Sequence, residues 1–330
     1  MTRRRIRPRF VVFMLVLVGL GFGVGTILNR QQATKPASAP KSRSQGKTAV
    51  APHGSYTLTP FGLPEGLSNF SVYDHGGVLT LAGGTSGGAL NKTVYTLTSN
   101  GAVVSGSLAV ARSDGSIVSL GSHDVYVGGI SSTKTPSLGA ENLTGGSPNA
   151  FLPQGLAGFA KASFRGNTYL VGGSTPRGPS KVIYQITPQG HVHPWIDLPQ
   201  AVSLPMTHVL AGSLYVVGGE LANHRASSAI YRINLTSKKI HILGSLPVGV
   251  YNGAMGIAGG SLWILGGYVH HKVSRQTWVV EGSSVVAGYP LPQALAGEVV
   301  AEEGSDLWIM GGVTTHGPSS TIYVLKSAKP

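Results

Sequence analysis

The sequence contains no cysteine, and that absence excludes disulfides, thiolate metal sites, cysteine nucleophiles, a lipoprotein anchor and any cysteine cross-linked cofactor. Charge is scarce too: only 11% of the residues are Asp, Glu, Lys or Arg, too few to solvate the outer faces of many amphipathic helices. What the chain has instead is 48 glycines in 330 residues at 42% apolar content, the composition of a turn-dense, well-buried all-β protein. Length does not decide the number of domains, because all-β folds run to about 250 residues as one unit.

Acidic residues are the scarcer of the two charge types, 12 against 25 basic ones, and the resulting +13 invites a nucleic-acid reading. The location of the charge argues against it. Residues 1–50 hold ten of the basic residues and no acid, which leaves fifteen against twelve, a net of +3, on residues 51–330. The high pI belongs to a tail and a linker, and no nucleic-acid partner is expected.

Phe10 to Leu28 is an uncharged run of nineteen residues. As a helix it spans about 28 Å, close to the ~30 Å of bilayer hydrocarbon. Arg3, Arg4, Arg5, Arg7 and Arg9 precede it, so the positive-inside bias keeps residues 1–9 cytoplasmic and sends the rest across. The expectation is a single-pass signal anchor at 10–28 in the cell membrane. The rival is a cleaved signal peptide, whose best site, Ala37-Ser38-Ala39, is followed by the unfavourable Pro40. Residues 29–54 mix Pro, Ala, Ser, Gln and Lys and read as a flexible extracytoplasmic tether.

From residue 55 onward the chain repeats itself. Six apolar runs close on paired glycines, ending at Gly84, Gly129, Gly173, Gly219, Gly267 and Gly312, with a period of 44 to 48 residues. A Leu-Pro step, replaced once by Leu108-Ala109, puts its second residue 20 positions before each second glycine. The constant half of each unit predicts an inner pair of strands packed about a shared centre, with length variation pushed outward. Third strands follow with Tyr95, Tyr184, Tyr231, Trp278 and Tyr323; the second unit lacks this aromatic. Ser55 to Gly62 reads as a fourth strand with no blade before it, and the chain ends after a third strand, so the two ends complete one blade. The predicted fold is a six-bladed β-propeller of four-stranded blades over residues 55–330, preceded by one transmembrane helix.

These units resemble the kelch repeat, a family of β-propellers whose second strand ends in a diglycine. The resemblance covers residues 55–330. It implies relatives that include sugar-acid isomerases and copper oxidases, although the cysteine-linked tyrosine of the oxidases is impossible here.

In a propeller the loops between strands two and three share one face. They carry Lys92, Lys134, Arg177, Lys181, Arg225, Lys272 and Arg275, with His224, His270, His271 and His316, against Glu220. A face at formal +6 on a domain at +3 suits an anionic glycan, a wall polymer or an acidic protein. The candidate ligand-binding residues are Arg177, Lys181, Arg225, His270, Lys272 and Arg275. His191 and His193 have the spacing of a two-histidine metal site, and Glu302, Glu303 and Asp306 with Asp74 and Asp124 that of a cation site, but both read more simply as solvated strand and turn residues. No metal, no cofactor and no catalytic group is assigned. The expected function is a membrane-anchored, extracytoplasmic binding or scaffold module. The alternative is a carbohydrate-active enzyme, isomerase or hydrolase-like, using axial polar residues such as Tyr73, Lys161, His208 and Glu298. A deep axial pocket with converging titratable groups favours the enzyme, and a plugged axis favours the scaffold.

Overall fold

The computed structural model describes residues 54–327, apart from 100, 122, 145, 147, 148 and 283. The expected cytoplasmic tail (1–9), signal anchor (10–28) and all but the last residue of the expected tether (29–54) lie outside them. Among the described residues no helix is long and apolar enough to cross a membrane.

The described chain forms six antiparallel four-stranded sheets, the six blades. From inside outward, blade 1 is Ser71–Asp74, Leu79–Ala82, Thr93–Thr98 and Gly101–Ser107; blade 2 is Ser113–Ser119, Asp124–Ile130, Gly139–Asn142 and Asn149–Ala150. Blade 3 is Ala160–Phe164, Asn167–Val171, Gly178–Ile186 and Val192–Val202, and blade 4 is Met206–Leu210, Ser213–Val217, Ala229–Asn234 and Ile240–Ser245. Blade 5 is Ala254–Ala258, Ser261–Leu265, Thr277–Glu281 and Ser284–Ala287. Blade 6 takes Val299–Glu303, Asp306–Met310 and Ile322–Ser327 from the C-terminal end and its outer strand, Gly54–Leu58, from the other end, in register from Gly54 opposite Ser327 to Leu58 opposite Tyr323. The ring thus closes as its sequence implies, with the two chain ends paired in one blade.

The reason for the constant spacings is visible in the backbone. Each second glycine donates its N–H to a carbonyl in the link that enters the next blade: Gly84 to Arg112, Gly129 to Leu156, Gly173 to Val202, Gly219 to Val250, Gly267 to Leu295, and Gly312 back to Leu67, at 2.8 to 2.9 Å. Nearer the axis a second ring runs with the opposite sense. Asp114 donates to Asn69, Gly158 to Asp114, Leu204 to Gly158, Asn252 to Leu204, Gly297 to Asn252 and Asn69 to Gly297, at 2.6 to 3.0 Å. An insertion between the two rings would break at least one of these bonds in every copy, so insertions are confined to the outer strands and loops.

A further repeat lies in the loops. Asn91, Ser137, Ser180, Ser227, Ser274 and Ser319 each return their N–H to the carbonyl of the preceding second glycine. Their side-chain oxygens each accept the N–H two residues on, which starts the third strand. Between blades the core is apolar, as in the packing of Ile183, Trp195 and Leu198 of blade 3 with Leu214, Val216 and Tyr231 of blade 4. Burying each such side chain contributes roughly 1.5–3 kcal/mol, against 0.5–1.5 for one hydrogen bond, so burial holds the blades together and the two rings set their register.

Blade 2 departs from this pattern in its interior. In register, Tyr95, Tyr184, Tyr231, Trp278 and Tyr323 occupy one third-strand position, and Glu141 takes it in blade 2. The matching link position is Leu67, Leu156, Val202, Val250 and Leu295 elsewhere and Arg112 here. Arg112 and Glu141 form an ion pair with side chains 1% and 0% exposed. Arg112 also donates to the Gly128 carbonyl at 2.9 Å and lies over the Tyr126 ring, while Glu141 accepts the Ala109 N–H at 2.6 Å. The aromatic missing from the second repeat is therefore replaced by one half of a buried ion pair.

Candidate functional site

The inner hydrogen-bond ring defines one end of a central channel. Its six residues, Asn69, Asp114, Gly158, Leu204, Asn252 and Gly297, all lie in the left-handed region, with φ between 50° and 65°. Five of them are Asn, Asp or Gly, the types that tolerate this conformation. Leu204 is the exception, and for leucine the conformation costs roughly 1–2 kcal/mol. At this end Asn252 Nδ2 donates to Asn69 Oδ1 at 3.1 Å, and it crosses Gly297 to do so. A Cβ on Gly297 would collide with the Asn69 amide.

From that ring the inner strands run along the channel to tight turns on the opposite side, the turn side. The hairpins that follow the diglycines begin beside the ring, as the bridges Ser68 to Thr85 and Ala157 to Ser174 show, and make up the loop side. The channel encloses a cavity of about 550 Å³. Titratable groups from five blades line it: Asp74, Asp114, Lys161, His208, Glu298 and Glu302.

Lys161 starts on blade 3 and crosses to its neighbours, donating to Ile117 O of blade 2 at 2.9 Å and Val72 O of blade 1 at 3.3 Å, with the Tyr73 ring 5.1 Å from its nitrogen. Burial pushes its ammonium down to about 8, and the charge of Asp124 offsets part of that effect. Asp124 itself pairs with His75. On the turn side His208 Nε2 of blade 4 stands 3.3 Å from Glu302 Oε1 of blade 6. Blade 5 lies between them and presents Gly256, where a Cβ would collide with Leu307 Cδ1 at 2.5 Å and stand in ordinary contact, 3.4 Å, with that carboxylate oxygen. The Ile257 N–H, at 2.6 Å, holds the same oxygen. Burial lowers the His208 pKa and the Glu302 carboxylate raises it, with burial the larger effect, so the imidazole is neutral at pH 7. Near the ring, burial raises the Asp114 carboxyl, and the Ser113 hydroxyl, donating at 2.6 Å, opposes this.

Glu298 is the anomaly in the wall. The first glycine of each diglycine is covered by side chains: Tyr126 over Gly83, Phe159 over Gly128, Val202 and Pro205 over Gly172, Met206 over Gly218, and Phe70 and Leu63 over Gly311. Over Gly266 the covering group is the Glu298 carboxyl, turned between blades 5 and 6. The residue is 4% exposed, and neither carboxyl oxygen completes a hydrogen bond. Burial raises it to about 8, with the nearby N–H groups of Glu298 and Ala254 offsetting a little.

The expected loop residues lie on the loop side, and they are not equivalent. Arg177, Arg225, His270 and Lys272 sit exposed at hairpin tips. Lys181 is 3.0 Å from Asp197 on the adjacent outer strand, and Arg275 Nε donates to the Leu291 carbonyl at 2.6 Å. His224 is 3.1 Å from Glu220. The acids weighed as a cation site do not gather: Glu302 turns to His208, Asp306 to Lys326 at 3.8 Å and Asp124 to His75. His193 points to Gln185 across its hairpin. Among the described residues no group of three or more His, Asp or Glu is placed to hold a metal ion.

Sequence reasoning named Lys161, His208 and Glu298 but missed Asp114, Asn69, Asn252 and the pairing of His208 with Glu302. A signal for the ring was present, since each of its six residues stands 15 positions before a second glycine.

No protein-family model matches the sequence, and no curated protein matches it. Among solved structures, that of YjhT aligns with a TM-score of 0.66 at 15% identity, covering 81% of this chain and 95% of the other. A likeness at that identity supports the six-bladed propeller fold and carries no residue across.

Proposed function

We propose that this chain is a membrane-anchored, extracytoplasmic, kelch-like propeller that binds a small carbohydrate in its axial cavity, with His208 and Glu302 as its proton-handling pair. The observation that carries the reading is the open axis: titratable side chains from five blades converge on a cavity of about 550 Å³, within the size range of small-molecule sites. With the Glu302 carboxylate facing Nε2, the favoured tautomer of His208 carries its proton there and its lone pair on Nδ1, which suits a general base toward a sugar hydroxyl. An isomerase-like or hydrolase-like activity on a carbohydrate follows from that chemistry. Calorimetry of the full-length chain in mild detergent against a panel of monosaccharides tests it. At least one sugar is expected to bind, and His208→Gln to weaken binding or turnover about tenfold or more; a panel with no binder overturns the reading.

The anchor rests on Phe10 to Leu28 and the arginines before it. Gly54, where the tether joins the propeller, lies on the turn side, because it pairs with Ser327 next to the Asp306 end of the blade. Gly54 thus stands on the side of the blade opposite the loop side. A second reading therefore stands beside the first: the exposed tips at Arg177, Arg225, His270 and Lys272 bind an anionic polymer or an acidic protein partner. Reversing Arg177, Arg225 and Lys272 to Glu together is expected to abolish retention on an anionic polymer at low salt, and unchanged retention removes this second reading.

A further inference from the structure

The charges in the axial cavity have a consequence for the ligand, and it rests on the axial-site reading above. Asp74 and Glu302 stand toward the turn-side mouth, at the ends of the inner strands Ser71–Asp74 and Val299–Glu303. Asp114 lies in the ring at the other end, while Glu298 in the wall, raised to about 8 by burial, is protonated at pH 7 and adds no charge. The cavity has one Lys and no Arg among its described lining residues, and Lys161 is already committed. Two carbonyls take two of its three protons, the Tyr73 ring lies beside it, and Asp124 offsets its charge. His208 turns its Nε2 to Glu302.

No cationic donor is therefore left to receive a ligand carboxylate or phosphate. An anion entering the cavity would lose its hydration without gaining an uncommitted cationic partner, which disfavours its binding. A ligand ammonium meets the opposite situation. Asp74 uses one carboxylate oxygen on the Gly77 N–H at 2.7 Å, and Glu302 uses one on His208 and Ile257, so each keeps an oxygen for a charge-assisted hydrogen bond.

We propose that the axial cavity selects amine-bearing, cationic small ligands, amino sugars first among them, and rejects their carboxylated counterparts. The loop side and the channel would then have opposite preferences, basic outside and acidic within.

Glucose, glucosamine and glucuronic acid share one pyranose frame and differ in charge, so titrating each into the full-length chain in mild detergent at pH 7 isolates the effect. Glucosamine is expected to bind about tenfold more tightly than glucose, and glucuronate to give no measurable heat. The Asp74→Asn, Glu302→Gln double variant is expected to bring glucosamine to the level of glucose. Glucuronate binding as tightly as glucosamine overturns the charge selection and leaves the axial site standing. The same holds if glucosamine keeps its advantage in the double variant. If none of the three sugars binds, this proposal and the axial-site reading fall together.

Discussion

Replacing Arg112 by Leu is expected to destabilise the propeller by about 3–5 kcal/mol, and replacing both Arg112 by Leu and Glu141 by Tyr to restore most of that loss. The single change strands the Glu141 carboxylate at 0% side-chain exposure with only the Ala109 N–H for a partner. The double change installs in blade 2 the aliphatic and aromatic pair that the other blades use, as Leu67 with Tyr95 or Leu156 with Tyr184. A buried ion pair often holds a fold no better than a well-packed apolar pair of similar volume, because desolvation consumes most of the attraction. Urea unfolding of the wild type, both single variants and the double variant gives the coupling directly. If Arg112→Leu alone leaves stability unchanged, the buried pair has no structural importance; if the double variant is as unstable as the single one, the two positions are not equivalent to their counterparts in other blades.

That ion pair marks the limit of what the sequence could reveal. Blade number, closure and strand order were readable because each rests on spacing: the Leu-Pro step and the diglycine are held 20 residues apart by two rings of backbone bonds, and backbone bonds leave a period in the sequence. The loss of the aromatic in the second repeat was also readable, whereas its replacement was not, since Arg112 and Glu141 are 29 residues apart and only strand register makes them neighbours. The axial site was hidden for the same reason. Lys161, His208 and Glu302 belong to blades 3, 4 and 6, and nothing along the chain shows that the last two meet across blade 5. The loop side erred in a different direction. Six basic positions looked alike, yet Val182 pairs with Asp197, which brings that acid to Lys181, and Arg275 is tied to its own blade's link. Glu298, expected at the axis, does line the channel wall, but its carboxyl turns into an interblade slot that phenylalanine fills twice elsewhere.

That slot makes stability depend on pH in a direction opposite to ordinary acid denaturation. The Glu298 carboxyl titrates near 4.5 when unfolded and is raised to about 8 in the fold, so the folded state holds its proton more tightly. Stability is full below pH 4.5, falls as the unfolded chain ionises while the folded one does not, and levels off above pH 8. At about 1.4 kcal/mol per pH unit, the loss between pH 4.5 and 7 is on the order of 3 kcal/mol, and it reaches roughly 5 beyond pH 8. Lys161 acts in a separate window with the opposite sign: its pKa is lowered from 10.5 to about 8, so its contribution improves stability only as pH rises above 8. Changing Glu298 to Met, the side chain that Met206 supplies over Gly218, is expected to remove the fall between pH 5 and 8 and to raise stability at pH 8 by several kcal/mol. Urea midpoints of both proteins at pH 5, 7 and 8 measure this. Parallel curves for the two proteins would place the pH dependence elsewhere. A converging pair, equal at pH 5 and separated at pH 8, assigns it to one carboxyl that stands where the other blades put an apolar side chain.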